Sequence, residues 1–128
     1  MLLPHGTVIA VIDGRNFHLF RNSGDEATPE LTDLPAPKLD THNHSAGSHH
    51  GSTATMTEDS HAIAAVEWLA HEVQGHRIEH LVVIAPPRAM GELRKHYTKP
   101  LEKALLGEVS KDLSGRKGSE ILAQLRGR

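Results

Sequence analysis

Two kinds of apolar pattern divide the chain. Short β-branched runs stand at Thr7-Val8-Ile9-Ala10-Val11-Ile12 and Leu81-Val82-Val83-Ile84-Ala85. Neither run alternates with polar residues, which is the pattern of strands covered on both faces. Longer segments instead carry their apolar residues at helical spacing. From Thr57 to about Gln74, Ile63, Val66, Ala70 and Val73 share one stripe with Leu69 beside it, which predicts an amphipathic helix. Thr57 is the expected N-cap, Glu58 and Asp59 favour the helix dipole, and Gly75 suits the position just past the C-terminus. After the first strand, Asp13-Gly14 predicts a two-residue type I′ hairpin, because that turn needs positive φ at both positions. Asn16–Arg21 is the return strand, Asn22-Ser23-Gly24-Asp25 the next turn, and Glu30–Leu34 a weaker third strand at a sheet edge.

Prolines punctuate the second half. Pro86 holds Ala85 away from the α region and ends the buried strand, and Pro87 fits the first position of a helix reaching about His96. Thr98 predicts the cap of a further short helix that tolerates Pro100 in its first turn. A strand from about Leu106 to Lys111, a turn at Ser114-Gly115, and a last helix capped by Ser119 complete the chain. The order β-β-β-α-β-α-β-α, with right-handed crossovers, predicts an α/β domain over residues 1–128. Its five-stranded mixed sheet has the order 3-2-1-4-5, with helices on both faces. Between Pro35 and Met56 the composition turns to Pro, Gly, Ser, Thr, Asn and His, so a mobile loop is expected at about 35–56.

Composition narrows the chemistry. There is no cysteine, which removes disulfides and thiolate catalysis. The N-terminus lacks a basic region followed by a long apolar run, and no segment approaches the roughly 18 apolar residues of a membrane span. A cytoplasmic protein is the expectation. The net charge of −2 hides an asymmetry. Residues 1–87 hold four Lys/Arg against eleven Asp/Glu, and residues 88–128 hold ten against five. Arg88, Arg94, Lys95, Lys99 and Lys103 all follow the fourth strand and are candidates for anion or RNA-backbone contacts. The strand end followed by a helix N-terminus is where ligands gather in open α/β sheets, and it singles out Arg88. His42, His44, His49 and His50 are weaker metal candidates, since their spacing matches no standard zinc site, no cysteine accompanies them and a polar loop explains them better. Asp13, with Glu67 or Glu72, falls short of a two-metal nuclease, because the fourth strand ends in Ala85-Pro86-Pro87 where another acid is needed. No catalytic triad or nucleotide fingerprint is present, and no cofactor is implied.

Three stretches carry a resemblance. Val11-Ile12-Asp13-Gly14-Arg15-Asn16-Phe17-His18-Leu19-Phe20, Leu81–Arg88 with Gly91-Glu92-Leu93-Arg94, and Gly107-Glu108-Val109-Ser110-Lys111-Asp112-Leu113 resemble the bacterial host-attachment protein family. That family is similar to the central domain of archaeal and eukaryotic peptide-chain release factors. The resemblance implies a ribosomal-protein-like, ribonuclease-H-like topology and a partner that is RNA, the ribosome or another protein. The release-factor domain works through a Gly-Gly-Gln tip that belongs between the third strand and the first long helix. Here that segment reads Ser45-Ala46-Gly47-Ser48-His49-His50-Gly51. No catalytic residue is therefore carried over, and a non-catalytic domain is expected, with an attachment-related protein-interaction module as the alternative.

Overall fold

The computed structural model describes residues 1–39 and 53–127, with side chains in the first long helix from residue 58 onward. Five strands, β1 (Val8–Ile12), β2 (Phe17–Asn22), β3 (Leu31–Leu34), β4 (Leu81–Ala85) and β5 (Leu105–Ser110), form one sheet in the order β3-β2-β1-β4-β5. The β1–β2 and β2–β3 pairs are antiparallel, and β1–β4 and β4–β5 are parallel. The helices are α1 (Thr53–Gln74), α2 (Pro87–Arg94), α3 (Lys99–Ala104) and α4 (Gly118–Arg126). Element order and strand order are those the hydrophobic pattern predicts.

The unbroken runs in β1 and β4 are explained by the layering. Val8, Ala10, Ile12, Leu81, Val83 and Ala85 face α1, α2 and α3. Ile9, Val11, Val82 and Ile84 face the opposite way, against Ile121 and Leu125 of α4 and Leu3 of the N-terminal segment. With helices on both faces, every position of these strands is buried, and neither strand has a solvent side on which a polar residue is favoured.

Several boundaries differ from the sequence expectation. Helix α1 begins at Thr53 rather than Thr57; Ala54 and Met56 are good helix formers and extend it by a turn. At the start of the expected loop, residues 35–39 are described and Leu39 packs against the core; residues 40–52, including His42, His44, His49 and His50, lie outside the described residues. On α1 the buried stripe is Ala62, Ala65, Val66, Leu69 and Val73, while Ile63 is only half-buried. Small alanines let the helix sit close to the sheet. At its C-terminus the left-handed residue is His76 (φ 61°), not Gly75. The Arg77 N–H reaches Glu72 O at 2.9 Å and the His76 N–H reaches Val73 O at 3.0 Å, the two bonds of a Schellman motif.

The β1–β2 turn is not type I′, since Gly14 is not in the left-handed region. Asp13 closes a longer turn with its side chain. Its Oδ1 accepts the backbone N–H groups of Arg15 (2.7 Å) and Asn16 (2.6 Å), and Oδ2 accepts the Asn16 amide at 3.0 Å. An Asx-type cap does the work that positive φ does in the tighter turn. Gly14 is needed for a different reason: a Cβ there would stand 2.6 Å from Glu58 Cγ. Ser119 is not the cap of α4. That helix starts at Gly118, and the Glu120 side chain reaches back to accept the Lys117 N–H at 3.1 Å. Thr98 does cap α3, its hydroxyl accepting the Leu101 N–H at 3.2 Å.

Candidate functional site

The carboxyl end of the sheet gathers the β1–β2 turn, the N-terminal half of α1 and the Pro86-Pro87 corner. Pro86 is extended (φ −60°, ψ 157°), Pro87 begins α2, and no side chain caps that helix. Its first N–H groups are therefore left for solvent or a ligand. A cavity of about 110 Å³ lies between Gly14, Glu58, Asp59, Ala62, Pro86 and Arg88. Arg88 Nη2 reaches the Asp59 carboxylate at 3.3 and 3.5 Å. Arg15 Nε stands 3.9 Å from Glu58, which lines the same cavity. Both contacts are long and solvent-exposed, and pairs of this kind are worth little, so either guanidinium is available to exchange its carboxylate for another anion.

Two further groups border this end. His61 Nδ1 lies 2.9 Å from the Asp13 carbonyl oxygen. A carbonyl only accepts, so Nδ1 carries the proton and the other ring nitrogen is the lone-pair side in the neutral ring. Asp13 is partly buried, which opposes ionisation, but the hydrogen bonds it accepts, those from Asn16 and Arg15 among them, outweigh burial and hold its pKa below the usual carboxylate range. The Ser114 hydroxyl is near enough to favour the same charge, yet its buried Oγ meets no partner in hydrogen-bonding geometry. We assign the carboxylate's stabilisation mainly to the three short bonds of its own turn.

The five cations predicted from sequence occupy different surroundings. Arg94 turns away from Arg88 and grips Glu108 of β5 with Nε at 3.2 Å from both oxygens and Nη2 at 2.9 Å. The Tyr97 hydroxyl donates to the same carboxylate at 2.6 Å. Burial alone would raise the Glu108 pKa, but the bonds from Arg94 and Tyr97 lower it. Burial and the bond to Glu108 together push the Tyr97 phenol well above its usual range. This trio is a fixed structural clasp between α2 and β5. Lys95 pairs with Glu92 at 3.2 Å. Lys103 lines a cavity at the opposite, amino end of β4 with His76, Glu79 and Pro100. Lys99 has no ion-pair partner among the described residues. The pairing partners Asp59 and Glu108 were not singled out as such from sequence; they lie 29 and 14 residues from their arginines, and no local spacing signals them.

Among the described residues, no group of three His, Cys, Asp or Glu side chains is placed to hold a metal ion. No helix among them is long and apolar enough to cross a membrane.

A comparison with protein-family models matches residues 6–125 to bacterial archaeo-eukaryotic release factor family 12. The chain belongs to that family. The match spans all five strands and most of α4, so this family-12 domain comprises nearly the whole sheet and both of its helical layers. A comparison with curated proteins finds no match to the family-12 chain.

Proposed function

We propose that this family-12 domain is a non-catalytic, cytoplasmic, RNA- or ribosome-associated protein that meets phosphate backbone at the carboxyl end of its sheet. The observation that carries the reading is the release-factor family match over residues 6–125. Peptidyl-transfer-RNA hydrolysis is not part of it, because the sequence contains no Gly-Gly-Gln. Within the cationic set the geometry favours Arg88. Its guanidinium is 62% exposed, its bond to Asp59 is long, and it stands beside the uncapped start of α2. Arg94 is committed to Glu108 and Tyr97, so its charge serves the fold. Lys103 stands at the opposite, amino end of β4 and is not part of this surface. The alternative, an interaction module in attachment to host cells, draws its support only from the sequence resemblance of stretches such as Leu81–Arg94. Metal binding at His42, His44, His49 and His50 is not part of the proposal.

Co-sedimentation with ribosomes and binding to structured RNA, each across a range of salt, test the reading. Arg88→Ala is expected to weaken association and to reduce the log–log salt slope by about one unit. Because the Asp59 pair is exposed, the same substitution is expected to cost no more than about 1 kcal/mol of stability. Equal affinity and equal slope for wild type and Arg88→Ala would remove this end of the sheet from the proposal. Absence of any salt-sensitive association would remove the proposal itself.

A further inference from the structure

Among the described residues, the cover on the α1 side of the sheet is incomplete. Phe17 and Leu34 are only partly buried there. Between Leu34 and α1 lies a cavity of about 380 Å³ whose apolar wall is Val8, Leu19, Leu34, Trp68 and Ile78, with Glu72 as its acid. That size is within the range of small-molecule sites. Phe17 meets Trp68 edge to face, with ring centroids 5.7 Å apart at 77°, which fixes the indole in the wall. The indole N–H has no hydrogen-bond partner among the described residues. Arg21 and Arg77 border this apolar space and also line a second cavity of about 180 Å³. The other side chains of the second cavity are polar: His5, His76 and His80, with Glu79 as the acid. An apolar, aromatic compartment and a polar, largely basic one thus meet at two guanidiniums.

The charges at that junction are unequal. Arg77 is answered by Glu72, its Nε 2.7 Å from the carboxylate. Arg21 shares these cavities with Glu72 and Glu79 but makes no ion pair or side-chain hydrogen bond among the described residues, whereas Arg15, Arg88, Arg94 and Arg116 each hold an acid. Two like charges on one wall repel unless an anion stands between them. Simple inorganic phosphate would answer the arginines and leave the apolar compartment empty. A purely apolar molecule would fill the compartment and leave Arg21 unanswered. A flat ring joined to a phosphate answers both, since bases stack on tryptophan whatever their identity and guanidinium forks match phosphate oxygens.

We propose that this two-part concavity binds a nucleoside phosphate, with the base against Trp68 and the phosphate between Arg21 and Arg77. The ligand is a free nucleotide or the phosphorylated end of an RNA strand, which share this chemistry. The site is separate from Arg88 and does not depend on the reading above. Glu72 and Glu79 oppose the phosphate, and Glu72 is already neutralised by Arg77, so Arg21 carries the larger share of the recognition.

Trp68 is the sole tryptophan, so quenching of its fluorescence in the intact chain reports occupancy. AMP and UMP are titrated against adenosine, inorganic phosphate and a 5′-phosphorylated RNA tetranucleotide, with calorimetry in parallel. The nucleotides are expected to quench Trp68 and to bind at least about ten-fold more tightly than adenosine or phosphate alone. Calorimetry is expected to show about a ten-fold loss for the exposed substitution Arg21→Ala, a several-fold loss for Trp68→Phe, and no change for Arg88→Ala. Tetranucleotide binding tighter than AMP assigns the site to an RNA end; equal or weaker binding assigns it to the free nucleotide. Circular dichroism and Tm verify that each variant is folded, and Arg21→Ala decides alone if Trp68→Phe does not fold. No quenching and no heat up to about 5 mM nucleotide, a thousand-fold above micromolar affinity, would overturn the proposal. So would adenosine binding as tightly as AMP, or an affinity that Arg21→Ala leaves unchanged.

Discussion

Asn22 offers the sharpest test of how the N-terminal half is held. It ends β2 and is fully buried. Its Nδ2 donates to Leu3 O at 2.8 Å, and its Oδ1 accepts the N–H groups of Gly24 and Glu30, both at 2.9 Å. One side chain therefore joins the N-terminal segment, the end of β2 and the approach to β3. Asn22→Ala removes these three bonds together with the longer reaches of Nδ2 to Pro4 O at 3.4 Å and Asp25 O at 3.3 Å. The bond to Leu3 is buried, so its carbonyl loses a partner that water cannot readily replace, at about 1–3 kcal/mol. The bonds from Gly24 and Glu30 are partly buried and cost about 0.5–1 kcal/mol each. The expected loss is about 3 kcal/mol. At about 2.1 cal/mol/K of unfolding entropy per residue, a chain of 128 residues should then melt roughly 10 °C lower. Urea unfolding followed by Trp68 fluorescence measures the loss directly. Ser23→Ala is the control: its hydroxyl donates to Glu30 O at 3.2 Å on the exposed side and should cost under about 0.5 kcal/mol. A loss below about 1 kcal/mol for Asn22→Ala, or equal losses for the two variants, would refute the reasoning.

Tyr97 is the only tyrosine, so the absorbance of tyrosinate near 295 nm reports one group. Burial and the bond to Glu108 hold the phenol proton, and folded protein is expected to show little tyrosinate at about pH 11, where an ordinary phenol with pKa about 10 is mostly ionised. Glu108→Gln should bring that ionisation to lower pH, and a normal midpoint in the wild type would contradict the clasp. The folded phenol pKa lies above its unfolded value, so this linkage is constant below about pH 10 and its contribution to stability grows less favourable only as pH rises past that value. At the end of α1, His76 occupies a left-handed position (φ 61°) that glycine adopts without strain. His76→Gly is expected to stabilise the fold by about 0.5–1 kcal/mol despite the greater freedom of glycine in the unfolded chain. A decrease in Tm would show that the imidazole makes a contribution larger than the backbone relief.

The architecture was legible because β1 and β4 are apolar at every position, and only a sheet covered on both sides buries such strands. The hairpin links then left few ways to order five strands. Turn chemistry was less legible. Asp13-Gly14 has the composition of a type I′ turn, but the same aspartate also accepts two N–H groups from residues just ahead, and that geometry needs no positive φ. From sequence Gly14 suggests backbone freedom, whereas the structure uses its missing side chain to admit Glu58. Gly75 and His76 show the converse: the residue best suited to the left-handed position is adjacent to the one that occupies it.

The candidate sites were legible as charge but not as pairing. Six residues of helical rotation set Arg88 and Arg94 on different sides, but the acids that answer them lie on α1 and β5, where no local spacing identifies them. Contact across elements decides which cations are free to meet a ligand. That criterion separates Arg94, held by Glu108 and Tyr97, from Arg88, which keeps only a long exposed bond. It also brings forward Arg21, which drew no notice in an acidic half of the chain and stands without a carboxylate among the described residues. A count of lysine and arginine along the sequence points to the second half, whereas a search for unpaired guanidinium leads also to Arg21 in the first.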